Sequence, residues 1–349
     1  MLLPTTMRAM RKLRGQAGLD FCTIPVPVCG PRDVLIRVRI TGICGTDLHI
    51  YNWDAWSQNR IKPPLTTGHE FVGDIVALGA EVHGLSLGQR VSAEGHITCG
   101  QCRLCRTGRG HICRTFKGVG VDREGCFADY IAVPAQNVWP VPAGVPDMFA
   151  AIYDPLGNAM HTVMSAPVSL KNVLVMGAGA IGLFAVSIAK VAGAANVMVV
   201  EPNATRIDLA RKAGADLVLN PRTDDVPALV RRATSNEGPE VVLEMSGNAK
   251  AMQQAFSLVA TGGTMCLLGI PGTPVDINWA EDIMFKGITI HGITGRRMFE
   301  TWFQVDEFLL HHSARLAASV THTMPCAAYE EAFALMNAGA CGKINLTWA

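Results

Sequence analysis

Residues 172–202 read NVLVMGAGAIGLFAVSIAKVAGAANVMVVEP, and no other stretch limits the possible folds as much. A β-rich apolar run is followed by Gly-x-Gly-x-x-Gly, an apolar helical stretch and a second β-branched run. That order describes a parallel strand–helix–strand crossover. Gly177 permits the tight turn, Gly179 lets backbone approach a pyrophosphate, and Gly182 lets helix and strand pack closely. The N–H groups opening the helix then face the phosphates. With 35 glycines in the chain the pattern alone is weak, and its place between a strand and a helix gives it weight. The second run ends at Glu201, where a carboxylate would hold ribose hydroxyls and repel a 2′-phosphate, favouring NAD over NADP. Two counter-readings stay open: Arg206 is placed to accept that phosphate, and Glu201 is also placed simply to cap the turn. Strand-like DLVLN, EVVLEMSG and GTMCLLGI alternate with helical stretches near DDVPALVRRATS and AMQQAFSLVA, the pattern of a doubly wound parallel sheet.

A chain of 349 residues exceeds what one core usually supports and suggests about two domains. Residues from about 8 to 140 read as short strands punctuated by Gly and Pro: DVLIRVRITGIC, FVGDIVALG, GQRVSAEG and FADYIAVP. After about Gly295 the texture is mixed, with an amphipathic ETWFQVDEFLLHH and a closing GKINLTW strand, a tail expected to fold back on the first domain. Net charge is +1 with no long basic or acidic run, which argues against nucleic acid or a membrane surface as the main partner. No apolar segment reaches the ~18 residues of a membrane span. The N-terminus lacks the apolar core of a secretory signal; it is basic, so an organelle-targeting reading is only weakly supported, and the expected compartment is the cytoplasm. Met7 offers an alternative start, with MLLPTT as a tail.

Four of the eleven cysteines fall in HITCGQCRLCRTGRGHIC, as Cys99, Cys102, Cys105 and Cys113. In a reducing compartment such spacing points to metal rather than disulfides. Four thiolates around one Zn²⁺ close the coordination shell, so the site is structural. Iron–sulfur ligation competes, because Cys-x2-Cys-x2-Cys also opens ferredoxin-type runs, but the Cys-Pro ending is absent. Arg103, Arg106, Arg109 and Arg114 either offset the cluster's negative charge or form a solvated face.

A second cluster, TGICGTDLHIYNWDAWSQ followed by TTGHEFVGD, supplies Cys44, Thr46, Asp47, His49, His69 and Glu70. A catalytic zinc takes three protein ligands and keeps one position open. Cys44, His69 and one carboxylate make such a set, with Asp154 in YDPLGNAMHT as the other carboxylate candidate. Neighbours in a regular strand point to opposite faces, so His69 and Glu70 cannot both reach one metal from ideal geometry. Either Gly68 allows an irregularity, or Glu70 acts from behind the ligands, or it exchanges with water.

The motifs occur in the order used by the zinc-dependent medium-chain dehydrogenases, which the chain resembles along its length. The shared features are GHEFVGDIVALG, the four-cysteine lobe and VLVMGAGAIG. More narrowly, CGTDLHIYNWDAWSQ, EGHITCGQCRLCR, DPLGNAMHT, LEMSG and GRRMFETW are similar to the L-threonine 3-dehydrogenases. The resemblance implies an α/β fold: a Rossmann doubly wound parallel sheet plus a β-rich GroES-like catalytic domain carrying a structural zinc lobe. It implies a catalytic domain over 1–158 with the lobe at about 95–115, an NAD-binding domain over 159–297, and a return to the catalytic domain over 298–349. It further implies NAD, two zinc ions per subunit, L-threonine as substrate and a homotetramer. By the same resemblance Cys44, His69 and Glu70 bind the catalytic zinc, and Asp154 serves a proton relay beside it. Thr46 and His49 match a charge relay running from hydroxyl through cofactor ribose to imidazole. Ile181, Glu201, Arg206, Leu268, Gly269, Ile270, Ile293 and Thr294 match NAD contacts, although Thr294 replaces a more usual aromatic residue. Glu70 or Asp154 would also attract the ammonium group of an amino-acid substrate. The competing readings are a zinc polyol or secondary-alcohol dehydrogenase and, from another class, a non-catalytic binding protein on the same fold.

Overall fold

The computed structural model describes residues 3–348; Met1, one of the two candidate starts, lies outside them. Six parallel strands form one sheet in the order Leu217–Leu219, Asn196–Val200, Asn172–Met176, Val241–Glu244, Thr264–Leu267, Thr289–Gly292. Numbered along the chain, that is the order 3-2-1-4-5-6 of a doubly wound sheet. Alternation of side chains sorts the central strand onto two faces. Val173 and Val175 pack in one core with Leu183, Phe184 and Val186 of the helix Ala180–Val191. Leu174 and Met176 pack in the other core with Val226, Val230 and Phe256, from the helices Val226–Ala233 and Ala249–Leu258. Covered on both sides, the strand carries no polar residue between Val173 and Met176, as buried parallel strands do. Asn203, Asp225 and Asn248 start the following helices by accepting backbone N–H groups.

A second sheet of seven strands is organised around Asp33–Gly42. One edge of this long strand pairs antiparallel with Glu70–Leu78. Its other edge is divided: residues 33–37 pair with Tyr130–Pro134, and residues 40–42 pair with Lys343–Thr347 near the chain end. The tail strand thus sits inside this seven-stranded sheet, with Val320–Pro325 parallel on its far side. The cysteine-rich segment projects as a loop closed by the short pair His96–Ile97 and Lys117–Gly118.

The boundary expected between residues 158 and 159 falls inside the helix Tyr153–Met164. Pro155 and Gly157 hide this helix in the sequence, but proline is tolerated in a first turn, where N–H groups lack helical partners. Leu156, Met160 and Val163 are all buried and repeat on one helical face. The helix packs against Ala180–Val191 and Glu300–His312, so it belongs to the seam between the two sheets.

Candidate active site

One donor atom each from Cys44, His69 and Glu70 lies within 4.8 Å of the others. Adjacent residues achieve this because His69 precedes the strand, which begins at Glu70, and Gly68 takes a left-handed conformation (φ 85°). A side chain at Gly68 would also collide with the Phe127 ring. The irregularity at Gly68 therefore answers the objection from ideal strand geometry. Asp47, wholly buried in the first turn of the helix Gly45–Asn52, holds the arrangement from behind. Its carboxylate accepts the Cys44 N–H at 2.9 Å and the Gly68 N–H at 3.2 Å, and lies 3.9 Å from His69 Nδ1. Neither Glu70 oxygen accepts an aligned hydrogen bond, although Glu70 is only 1% exposed. A sulfur, an imidazole and an underused carboxylate are the donor set that suits zinc.

Two buried cations that sequence reasoning passed over stand behind the acids. Lys343 lies against Glu70 Oε2 and donates to the Ile43 carbonyl at 2.7 Å. Gly42 makes the room, since a Cβ there would strike the Glu70 carboxylate and sit 2.9 Å from Lys343 Cε. Arg296, 2% exposed, pairs with Asp154 Oδ1 at 2.7 Å. Its Nε donates to Glu94 Oε2 at 2.9 Å, and the Trp302 indole donates to the same oxygen at 2.9 Å. Burial alone would raise the Glu94 carboxyl, but the Arg296 guanidinium and the His96 ring hold it well below the usual range. Gly157 lets Arg296 pass, because a Cβ there would lie 2.7 Å from its Cδ. Arg296 lies within the GRRMFETW motif, which was the available signal; Lys343 had none.

Asp154 does not join the converging donors. Its second oxygen lies beside buried Gly95, where a Cβ would lie 3.5 Å from Asp154 Oδ2 and 3.8 Å from His69 Cβ. Thr46 and His49 occupy the same helix one turn apart, Thr46 half-buried and His49 exposed, so the two lead from the donor group toward solvent.

In the parallel sheet Gly177 adopts φ 92°, and a Cβ at Gly182 would collide with the Gly177 carbonyl. Nothing lies within 4 Å of a Cβ built at Gly179, which leaves that side of the turn open. Glu201 accepts the Ala178 N–H at 2.7 Å and the Asn203 N–H at 2.9 Å, so it does tie the turn together. Each of its oxygens keeps a second lone pair for a ribose hydroxyl. Arg206 Nε is buried without a partner, and Ile181, Leu268 and Gly269 are half-buried. Ile270 is exposed. Ile293 and Thr294 follow the last parallel strand, three and two residues before Arg296, and line a pocket with Arg109, His111 and His161.

In the lobe, sulfur–sulfur separations are 3.5 Å for Cys99–Cys113 and Cys102–Cys105, 3.9 Å for Cys102–Cys113 and 4.0 Å for Cys99–Cys105. A tetrahedron with metal–sulfur arms of about 2.3 Å has edges of about 3.8 Å, so these sulfurs are already spaced for one ion. An iron–sulfur cluster, with several irons between its cysteines, would hold them farther apart. Backbone N–H groups of Gln101 and Cys102 pull the Cys99 thiol down to about 6. Desolvation and neighbouring sulfurs push Cys105 up to about 11. Arg103, Arg106, Arg109 and Arg114 are all exposed and pair with no carboxylate among the described residues. Cys113→Ser is expected to lose one metal ion per chain and to destabilise the fold by about 3–5 kcal/mol. Metal analysis beside urea unfolding checks this; unchanged metal content would refute it.

The family described as "Zinc-binding dehydrogenase" matches residues 180–311, and the "Alcohol dehydrogenase GroES-like domain" matches residues 30–143. An L-threonine 3-dehydrogenase from Proteus mirabilis is 45% identical over 342 residues, covering 98% of this chain and 100% of that protein. A putative zinc-binding dehydrogenase from Sinorhizobium meliloti bound to NADP superposes with TM-score 0.90 at 27% identity, covering 99% of this chain and 100% of that one. An alcohol dehydrogenase from Escherichia coli complexed with NADH superposes with TM-score 0.89 at 26% identity, with the same two coverages.

Proposed function

The chain belongs to the L-threonine 3-dehydrogenase family of zinc-binding dehydrogenases, and from that premise we propose that it oxidises L-threonine to L-2-amino-3-oxobutanoate with NAD. The observation that carries this reading is the convergence of Cys44, His69 and Glu70 beside the segment that ends the cofactor-type sheet. These three residues would hold the catalytic zinc, and Cys99, Cys102, Cys105 and Cys113 the structural one. When bound, zinc supplies a Lewis acid for the substrate hydroxyl, and NAD supplies the hydride acceptor.

The chain's own residues do the rest. Asp47 fixes the Cys44 and Gly68 backbones, so the donor set is formed by the fold. Lys343 offsets the charge of Glu70 while leaving its other oxygen free. Asp154 keeps one oxygen on Arg296, and the other, beside Gly95, suits the ammonium group of an amino-acid substrate. Thr46 and His49 conduct a proton outward, with His49 the exposed member. Gly177, Gly179 and Gly182 cradle the cofactor phosphates and Glu201 the ribose. Leu268, Gly269, Ile270, Ile293 and Thr294 line the remainder. The carboxylate at Glu201 supports NAD over NADP, with Arg206 the opposing feature.

The division of labour follows a catalytic part over 1–158, a cofactor part over 159–297 and a returning tail over 298–349. A homotetramer in the cytoplasm fits this reading. All eleven cysteines are free, and the edge strand Thr289–Gly292 exposes Ile290, beside exposed Trp279, Met284 and Phe285. Among the described residues no helix is long and apolar enough to cross a membrane.

A substrate panel tests the activity. NADH formation at equal metal content should give a kcat/KM for L-threonine at least ~100-fold above sorbitol or 2,3-butanediol, because a buried carboxylate rewards an ammonium partner. A preference for either diol would favour the polyol dehydrogenase reading instead.

A further inference from the structure

The helix Gly45–Asn52 ends at Trp53, which takes the left-handed conformation (φ 55°) and reverses the chain. That turn is held from two sides. The Lys12 ammonium lies 5.3 Å from the centre of the Trp53 ring, and Gly15 is stacked so closely that a Cβ there would sit 3.1 Å from Trp53 Cζ2. Reversal brings Asp54 back onto the helix it has just left. Its Oδ2 meets His49 Nδ1 at 2.5 Å, while its Oδ1 accepts the Ser57 N–H at 3.0 Å and starts the helix Ala55–Arg60. One carboxylate thus fastens the imidazole and the next helix at once.

From this geometry we infer that Asp54 is a positioning residue for proton release, orienting the His49 ring so that Nε2 is the atom that accepts the outgoing proton. The inference rests on the relay reading of Thr46 and His49 given above. An ionised carboxylate at Nδ1 accepts Nδ1–H, which leaves the Nε2 lone pair free as the base. When Nε2 takes up a proton the ring becomes imidazolium, its positive charge is offset by Asp54, and the proton passes on to water. Burial works against ionisation of Asp54, but the Ser57 N–H and the His49 ring hold it below the usual carboxylate range.

Asp54 is the one carboxylate paired with this ring among the described residues. Of the other charged groups on elements packed against the helix, Arg60 is paired with Asp122 at 2.7 Å. Glu330, on the helix Tyr329–Asn337, is engaged by the Tyr329 hydroxyl at 3.3 Å, and Glu331 is on that helix too.

The test uses Asp54→Asn, which removes the charge and keeps a side chain that caps helices well. In the cofactor-free protein, the His49 ring signal, assigned as the one missing from His49→Gln, is followed by NMR. Loss of the carboxylate should move the neutral ring from the Nδ1–H tautomer toward the Nε2–H one, read from its ring nitrogen shifts. In the loaded enzyme kcat at neutral pH should fall roughly 3–10-fold, since Nε2 is then less often free to accept the proton. A merely structural role would lower kcat and leave the tautomer in place, and that result overturns the inference. If His49→Gln itself left kcat and its pH dependence unchanged, the relay reading would fail and take Asp54 with it. A slowed His49→Gln with an unmoved tautomer in Asp54→Asn would sink the Asp54 inference alone.

Discussion

Cys44→Ser is expected to lower kcat/KM for L-threonine by at least ~10³-fold while leaving the fold and one of two zinc ions in place. Serine is nearly isosteric with cysteine, and Asp47 would still receive the N–H of residue 44, since that bond is to the backbone. What disappears is the thiolate, the strongest zinc donor of the three. Loss of a Lewis acid costs several kcal/mol of transition-state stabilisation, and ~10³-fold corresponds to about 4 kcal/mol. Because the lobe draws its four sulfurs from other residues, its ion should remain. Metal analysis should therefore read close to one zinc per chain, with NADH binding by fluorescence little changed. Two retained ions together with near-normal turnover would remove Cys44 from the catalytic metal site.

The second large effect concerns stability. Arg296→Met should destabilise the protein by about 3–5 kcal/mol, because it strands Glu94 and Asp154 in a buried pocket without their cation. The cost comes from the orphaned carboxylates more than from the lost pair. Accordingly, Arg296→Met combined with Glu94→Gln and Asp154→Asn should unfold at higher urea than Arg296→Met alone, despite carrying more changes. The folded Glu94 carboxyl lies below its ordinary range, so its contribution is fully present above the unfolded value of about 4.3 and is lost as pH falls through the folded one. In Arg296→Met that depression is relieved, and the excess destabilisation at neutral pH should shrink as acid protonates the stranded groups. Equal unfolding midpoints for wild type and Arg296→Met at pH 7 would rule out this role.

What the sequence disclosed and what it hid follow from the range of each interaction. The glycine turn at Gly177–Gly182 is legible because a strand, a turn and a helix N-terminus are consecutive in the chain. The cysteine lobe is legible for the same reason, its four sulfurs arising within one short loop. Cys44, His69 and Glu70 stand out by residue type, and Gly68 already signalled how two neighbours could face one point. By contrast, Arg296 meets Glu94 across 202 residues, and Lys343 meets Glu70 only because the last strand is threaded beside Gly42. No local spacing encodes such a meeting. The helix Tyr153–Met164 was obscured by Pro155 and Gly157, the second of which is explained only once Arg296 is seen passing over it. The boundary at 158/159, which the resemblance implied, falls inside that helix.

The position of Lys343–Thr347 between Asp33–Gly42 and Val320–Pro325 bears on how the protein is born. A ribosome delivers the founding strand of this seven-stranded sheet early and Lys343–Thr347 much later, with the whole nucleotide-type domain synthesised in between. Until those final residues emerge, the edge of residues 40–42 is unpaired and Glu70 has no ammonium beside it. Completion of the metal pocket therefore waits on a strand made after the cofactor half, which can condense first.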